Sequence, residues 1–343
     1  MVSHRRSTQP GPNRGARITV LSAAAATAAA TLGAATANAD PQDTSRSAKA
    51  RVDRLYSEAE RAAEQYNAAD ENAGRLRGEV SRARDRAARG QEHLNRLRTA
   101  LGSVVSAQYR SGGLDPSLAL LLSSDPDTYL DRAATLDRLT ERRSAEVREL
   151  QQTQRTLAQT RAEAARALAE LERNRAAATR HKQTVERKLT QAQQLLDALP
   201  AVDRADFERA SRSGRYDVFP AVADLPAGSA RAAAAVAAAR QALGRPYIWG
   251  ADGPGGFDCS GLTQWAYAQA GVSLPRTSQA QRYAGHLVPL SEARPGDLVA
   301  YRADAGHIAM YVGNGQVIHA PYPGAPVRYD PVGMMPVSSV TRV

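Results

Sequence analysis

The stretch Phe257-Asp258-Cys259-Ser260-Gly261 holds the only cysteine of the 343-residue sequence. A segment rich in glycine and proline, residues 250–256, precedes it, and apolar residues at helical spacing follow it from Leu262 to Ala270. This pattern predicts that Cys259 lies where a loop becomes a helix. Unpaired backbone N–H groups at a helix start favour a thiolate and can bind an oxyanion, so Cys259 is a candidate nucleophile. The alternative for a free cysteine is a small apolar residue of the core.

Two histidines fall on a predicted β-hairpin downstream of this cysteine. Asn314-Gly315 is a strong turn signal between a strand at 307–312 and a returning strand at 316–320. Because His307 and His319 lie on the paired strands, their imidazoles can meet at one end of the sheet. A thiol, a base and a third group that orients the base form the arrangement of nucleophilic catalysis. A single strand histidine is more often a core residue, but two on one hairpin favour the catalytic interpretation.

Six motifs follow one another across the last third of the chain. They are GRPYIWG at 244–250, FDCSGL at 257–262, LPRTS at 274–278, RPGDL at 294–298, GHIAMY at 306–311 and IHA at 318–320. Together they resemble the NlpC/P60 family of cell-wall cysteine peptidases over about residues 229–343. The resemblance implies a papain-like α+β domain that cleaves peptidoglycan stem peptides, typically at the γ-D-glutamyl–diaminopimelate bond. It assigns Cys259 as nucleophile, His307 as base and His319 as the residue that orients the base.

Four further residues are candidates for supporting or substrate-binding roles. Tyr247 matches the family tyrosine that lies near the nucleophile. Asp258 either faces the substrate or accepts hydrogen bonds that hold the loop, and the second role is favoured because a carboxylate beside a thiol would raise its pKa. Ser260 either contacts the substrate or caps the helix. Arg276 either pairs with a carboxylate of the stem peptide or is an ordinary surface arginine.

The composition argues against several other classes of protein. The net charge is +10, but the arginines alternate with acidic residues along predicted helices, which indicates a solvated face, so we expect no nucleic-acid partner. The six histidines are scattered, and no Cys-x-x-Cys or His-Glu-x-x-His motif occurs. We therefore expect neither a metal site nor a cofactor.

The first 39 residues predict a secretory signal peptide. Four arginines precede an apolar run at residues 18–37, and Ala37-Asn38-Ala39 is a small-x-small cleavage site. An uncleaved membrane anchor is the alternative, because the run is long enough to cross a bilayer. The pattern favours cleavage and a secreted, wall-associated protein.

Residues 40–199 predict two long helices. Apolar or small residues keep a heptad spacing from Val52 to Val104, and a second tract from Leu136 to Leu199 keeps a seven-residue step with many polar companions. We expect an antiparallel coiled-coil hairpin, and a dimeric coil is the alternative.

A small tip subdomain is expected at about residues 106–135, between the two helices. It either caps the hairpin or offers a docking surface. The tip resembles the corresponding region of division-associated wall hydrolases or their activators, which implies an FtsEX-type membrane complex as partner. Residues 200–228 predict a linker to the catalytic domain at 229–343.

Three functional hypotheses follow from these patterns. The first is an exported cysteine endopeptidase acting on peptidoglycan, with the helical arm regulating it or docking it at the division site. The second is a scaffold or activator of another wall hydrolase, with little catalysis of its own. The third keeps the thiol chemistry but transfers the acyl group to an amine instead of water.

Overall fold

The computed structural model describes residues 41–110, 112, 118, 120, 126–212 and 227–343. The predicted signal peptide, residues 111, 113–117, 119 and 121–125 of the predicted tip, and residues 213–226 of the predicted linker lie outside these residues. No helix in this described part has an apolar stretch long enough to cross a membrane.

Two long helices form the N-terminal arm. Helix α1 spans Pro41–Arg110 and helix α2 spans Pro126–Asp197, and they pack against each other in antiparallel directions. Helix α3, Ala201–Arg212, follows α2 and packs Phe207 against the apolar cluster at the base of the arm. The long helices therefore form the predicted hairpin within one chain. The buried contacts that fix its direction join Val52 with Ala192 and Leu196, Ala62 with Val185, and Leu76 with Leu171.

The C-terminal domain is built on an antiparallel sheet. Its strand order is β1-β6-β2-β3-β4-β5, and every neighbouring pair is antiparallel. The strands are β1 His286–Val288, β2 Leu298–Tyr301, β3 His307–Gly313, β4 Gln316–His319, β5 Arg328–Pro331 and β6 Val337–Arg342. The helices of this domain are α4 Ala230–Gln241, α5 Cys259–Gln269 and α6 Ser278–Gln281, with a short 3₁₀ turn at Leu290–Glu292.

Alternate residues of the central strands face two different apolar layers, as strand geometry requires. Ile308 and Met310 of β3 pack under α4 and α5, whereas Ala309 belongs to a smaller cluster on the opposite face. The α+β fold with a preceding helical hairpin is thus confirmed. Its main consequence is that α5, which carries the cysteine, packs directly on the strand that begins with His307.

Candidate active site

The cysteine lies in the first turn of α5, where the sequence pattern predicted it. Asp258 is the N-cap residue in extended conformation, and its carboxylate accepts a hydrogen bond of 2.7 Å from the Gly261 N–H. A Cβ atom at position 261 would lie 2.2 Å from the carbonyl oxygen of Ala251, so this turn requires glycine. The cap and the close loop contact hold Cys259 at the start of the helix, where it is 1% exposed.

The two predicted histidines meet at one end of the sheet. His307 begins β3 and His319 ends β4, and both side chains are buried. His307 Nε2 lies 2.8 Å from His319 Nδ1, with the rings edge to face. The structure therefore brings together Cys259, His307 and His319, which are far apart in the sequence.

Asp330 is a fourth member of this row that no sequence pattern predicted. Its Oδ2 atom lies 2.8 Å from His319 Nε2 and also accepts a hydrogen bond of 2.8 Å from Arg328 Nε. Burial lowers the pKa of His319 to about 4, although the hydrogen bond with Asp330 opposes the shift. His319 is therefore neutral at neutral pH. The sequence gives only a weak signal for Asp330, because its position beside His319 follows from the pairing of β5 with β4.

Asp258 accepts hydrogen bonds from its own loop and from Arg276, as the structural role favoured above requires, and that role stays a prediction. Its carboxylate accepts hydrogen bonds from the Gly250 N–H at 2.9 Å and from Arg276 Nη2 at 2.6 Å. Arg276 is thus paired with Asp258 inside the domain and is not an ordinary surface arginine. Of the two roles left open for Ser260, Asp258 takes that of the N-cap, and Ser260 Oγ donates a hydrogen bond to Glu64. Tyr247 is buried in the same apolar cluster as Cys259.

Three side chains of the arm occupy the cleft of the catalytic domain. Glu60, Glu64 and Asn67 lie on one face of α1 at spacings of four and three residues, and each is at most 6% exposed. Asn67 Nδ2 donates a hydrogen bond of 3.0 Å to Asp258. This arrangement, with α1 in the cleft, is called the closed arrangement below.

Glu64 lies directly against Cys259. Its Oε1 atom is 3.6 Å from Cys259 Sγ and accepts a hydrogen bond of 2.6 Å from Ser260 Oγ. Its Oε2 atom accepts a bond of 2.7 Å from the Ser278 N–H. Burial, followed by repulsion from Asp258, raises the pKa of Glu64 to about 7.

Glu60 is hydrogen-bonded to Nδ1 of His307, the ring nitrogen that is not bonded to His319. Its Oε1 atom is hydrogen-bonded to His307 Nδ1, and its Oε2 atom accepts a bond of 2.6 Å from Arg302 Nη1. Burial alone would raise the pKa of Glu60, but His307 and Arg302 outweigh it and the pKa is lowered. Because an ionised carboxylate can only accept, His307 Nδ1 carries the proton of this bond.

The closed arrangement also disfavours the thiolate. Burial, and after it the charges of Glu64, Glu60 and Asp258, raise the pKa of the Cys259 thiol well above its ordinary value. The thiol therefore stays protonated while its base is already occupied. Both effects act against nucleophilic attack.

Outer contacts fix the arm around these carboxylates. Arg61 Nε donates a bond of 2.7 Å to Asp304, next to the Glu60–Arg302 pair. Two aromatic contacts also join the arm to the catalytic domain: Tyr56 is stacked on Tyr322, and Tyr66 lies edge-on to Trp249.

One set of side chains has the donor atoms for a metal ion. A carboxylate oxygen of Glu60, Cys259 Sγ and a ring nitrogen of His307 lie within 4.8 Å of one another. Such a set could bind zinc. The hydrogen bond between Glu60 and His307 already accounts for their closeness, so we assign no metal here.

Known proteins similar to this chain match it over the C-terminal domain. Residues 244–340 match the family described as the NlpC/P60 family. A probable endopeptidase of Corynebacterium glutamicum (strain R) is 43% identical over 154 residues, covering 43% of this chain and 72% of that protein. A probable endopeptidase of Mycobacterium tuberculosis is 46% identical over 114 residues, covering 33% of this chain and 29% of that protein. The solved peptidoglycan hydrolase RipB from Mycobacterium tuberculosis is 36% identical with a TM-score of 0.31, covering 33% of this chain and 64% of that chain.

Proposed function

The chain belongs to the NlpC/P60 family of cysteine endopeptidases, and from this premise we propose that it is exported and cleaves the stem peptides of peptidoglycan. The bond proposed is the amide between the γ-D-glutamyl residue and diaminopimelate. The observation that carries the proposal is the buried row of Cys259, His307 and His319, with a ring nitrogen of His307 within 4.8 Å of the sulfur. Export agrees with the predicted signal peptide, since peptidoglycan lies outside the cytoplasm.

The hydrogen bonds of the row assign the tautomers that catalysis needs. Asp330 as a carboxylate accepts from His319 Nε2–H, which leaves His319 Nδ1 as an acceptor. His319 Nδ1 then accepts from His307 Nε2–H. Once Glu60 has left and the proton on His307 Nδ1 has passed to water, Nδ1 is the nitrogen that takes the thiol proton. Asp330 and His319 are positioning residues in this scheme.

The reaction is an acyl transfer through a thioester. The Cys259 thiolate attacks the peptide carbonyl, and backbone N–H groups in the first turn of α5 stabilise the oxyanion, each worth about 3 kcal/mol. The amide C–N bond breaks as His307 gives its proton to the leaving amine. Water, deprotonated by the same imidazole, then hydrolyses the thioester and releases the free thiol.

The arm keeps the enzyme inactive in the closed arrangement. Glu60 holds a proton on the nitrogen that must be free, Glu64 lies against the sulfur, and α1 fills the space that a substrate would need. Activity therefore requires α1 to leave the cleft. A membrane complex of the FtsEX type, bound through the tip between α1 and α2, is the proposed partner for that step.

Digestion of defined muropeptides tests the reaction. The full-length Glu60→Ala variant, which lacks the carboxylate on His307, should release fragments with a new glutamyl carboxyl group and a new diaminopimelate amine. Adding Cys259→Ser to the same background should abolish these products in mass spectra.

Other outcomes would point to the other hypotheses. Undiminished digestion by the Cys259→Ser protein would refute the thiol mechanism. Products joined to an added amine would mean acyl transfer instead of hydrolysis. Full rescue of a deletion strain by Cys259→Ser would favour the scaffold.

A further inference from the structure

Arg302 lies in the turn between the two strands that build the site. Strand β2 ends at Tyr301 and β3 begins at His307, so Arg302 is the first residue of the connecting turn. Its φ angle is 65°, a left-handed conformation that costs a non-glycine residue about 1 kcal/mol or more. Its N–H donates a bond of 2.8 Å to the Pro336 carbonyl, which helps to hold this backbone. The turn thus fixes an arginine beside the catalytic base.

The guanidinium of Arg302 forms a hydrogen-bonded ion pair with Glu60 of the arm. Nη1 donates to Glu60 Oε2 at 2.6 Å, and Nη2 donates to Met335 Sδ, a weak acceptor, at 3.3 Å. The Arg302 side chain is only 25% exposed. The nearby Asp304 is paired with Arg61 of the arm. Departure of α1 therefore takes away the carboxylate that neutralises this cation.

A cavity adjoins this cation and the catalytic row. It measures about 460 Å³ and lies between the arm and the catalytic domain. Its walls on the catalytic side include Arg302, His319, Tyr322 and Met335, and its walls on the arm side include Tyr56 and Glu60. This volume is within the range of small-ligand sites. When α1 leaves, the cavity becomes part of an open groove beside the base.

We propose that Arg302 binds a carboxylate of the peptide substrate beside the scissile bond, at the position that Glu60 fills in the closed arrangement. The inference rests on the proposed function. A γ-linked glutamyl residue keeps a free α-carboxylate next to the scissile amide, and diaminopimelate carries carboxylates on the other side. Arginine suits such a ligand because its planar guanidinium can donate two parallel hydrogen bonds. Glu60 then competes with substrate for the same cation as well as for the base.

The test uses the full-length Glu60→Ala protein, in which the competing carboxylate is absent. Three soluble stem peptides are compared: the free acid, the peptide amidated at the glutamyl α-carboxyl group, and the peptide amidated at diaminopimelate. We expect the free acid to exceed one of the amides by about 10- to 100-fold in kcat/KM, as for a hydrogen bond to a charged group. The amide that is cleaved slowly identifies the carboxylate bound.

Adding Arg302→Gln should abolish this preference, mainly through KM, and Arg302→Lys should retain part of it. Alkylation of Cys259 by the neutral reagent iodoacetamide is measured against pH, because Arg302 interacts with the charge of Cys259 and its loss changes the pKa of the curve. An equal limiting rate at high pH in all three proteins separates substrate binding from damage to the thiol. If Asp304 pairs with Arg302 in the open enzyme, Arg302→Gln should keep the full preference for the free acid over the amidated peptide. That result would overturn the inference while leaving the peptidase activity unchallenged. Failure of the Glu60→Ala protein to cleave any of the peptides would overturn both.

Discussion

Replacing Glu60 by alanine should shift the protein towards the open state. The carboxylate makes two charge-assisted contacts in the closed arrangement, with His307 and with Arg302. Hydrogen bonds to charged groups contribute about 1.5–3 kcal/mol each, and His307 and Arg302 regain water when α1 leaves. Taking about 3 kcal/mol for the pair together, the ratio of closed to open molecules should fall roughly 100-fold.

The single cysteine makes the shift measurable without substrate. Iodoacetamide can label only Cys259, so mass spectrometry of the intact protein gives the rate at which the thiol becomes accessible. Labelling and muropeptide cleavage should both accelerate in Glu60→Ala, up to the ceiling set by the fully open enzyme. The matched control is Glu71→Ala, because Glu71 lies on the same helix but is exposed to solvent.

Two results would refute this reasoning. Labelling and cleavage rates equal to those of the wild type, with an unchanged melting temperature, would show that Glu60 does not hold α1 in the cleft. Equal acceleration by Glu71→Ala would mean that the arm is destabilised generally and that the contacts with His307 and Arg302 are not responsible.

Two further predictions concern the hydrogen bonds of the site. In the Glu60→Ala background, Asp330→Asn should lower kcat by roughly 100-fold or more with little change in KM, because an amide can donate to His319 and reverse both imidazole tautomers. ¹⁵N NMR of the two histidines should detect this reversal, and Asp330→Glu should restore part of the rate. Unchanged tautomers in Asp330→Asn would contradict the proposed hydrogen-bond scheme. The second concerns pH: the pKa of Glu64 is about 7 in the closed arrangement against an ordinary 4.5, so the closed form binds the proton more tightly. The contribution of Glu64 to the stability of the closed arrangement is therefore greatest below about pH 4.5 and is lost as pH rises to about 7. Hydrogen–deuterium exchange of the Ser278 amide, corrected for its intrinsic rate, should therefore speed up between about pH 4.5 and pH 7 in the wild type and not in Glu64→Gln. An equal dependence of the exchange rate on pH in the two proteins would contradict this prediction.

The fold and the convergence of Cys259, His307 and His319 could be predicted because their signals are local. The glycine-rich loop before Cys259 and the apolar spacing after it define a helix start, and Asn314-Gly315 fixes the hairpin that brings His307 towards His319. Each signal depends on a few neighbouring residues. The sheet then needs only its alternating pattern to bury one face under α4 and α5.

The occupation of the cleft by α1 could not be predicted from these signals. Glu60, Glu64 and Asn67 form a polar row next to the apolar seam of the hairpin, and such a row is typical of a solvated helix face. Only the folded chain shows that the row is buried, against partners about 190 to 250 residues away. Asp330 escaped prediction for a related reason, since its role depends on how β5 pairs with β4.

The chemistry of the contact between α1 and the cleft explains how closure can be specific and still reversible. Its apolar part is small, mainly the aromatic contacts of Tyr56 and Tyr66, and its centre consists of buried carboxylates. The cost of removing such charges from water offsets much of their attraction, so buried ion pairs fix a geometry more than they add stability. Moving a population from 99% closed to 99% open takes about 5.5 kcal/mol of differential binding. A partner that binds the arm only when it is out of the cleft could supply this, and a substrate carboxylate on Arg302 would add to it by replacing Glu60.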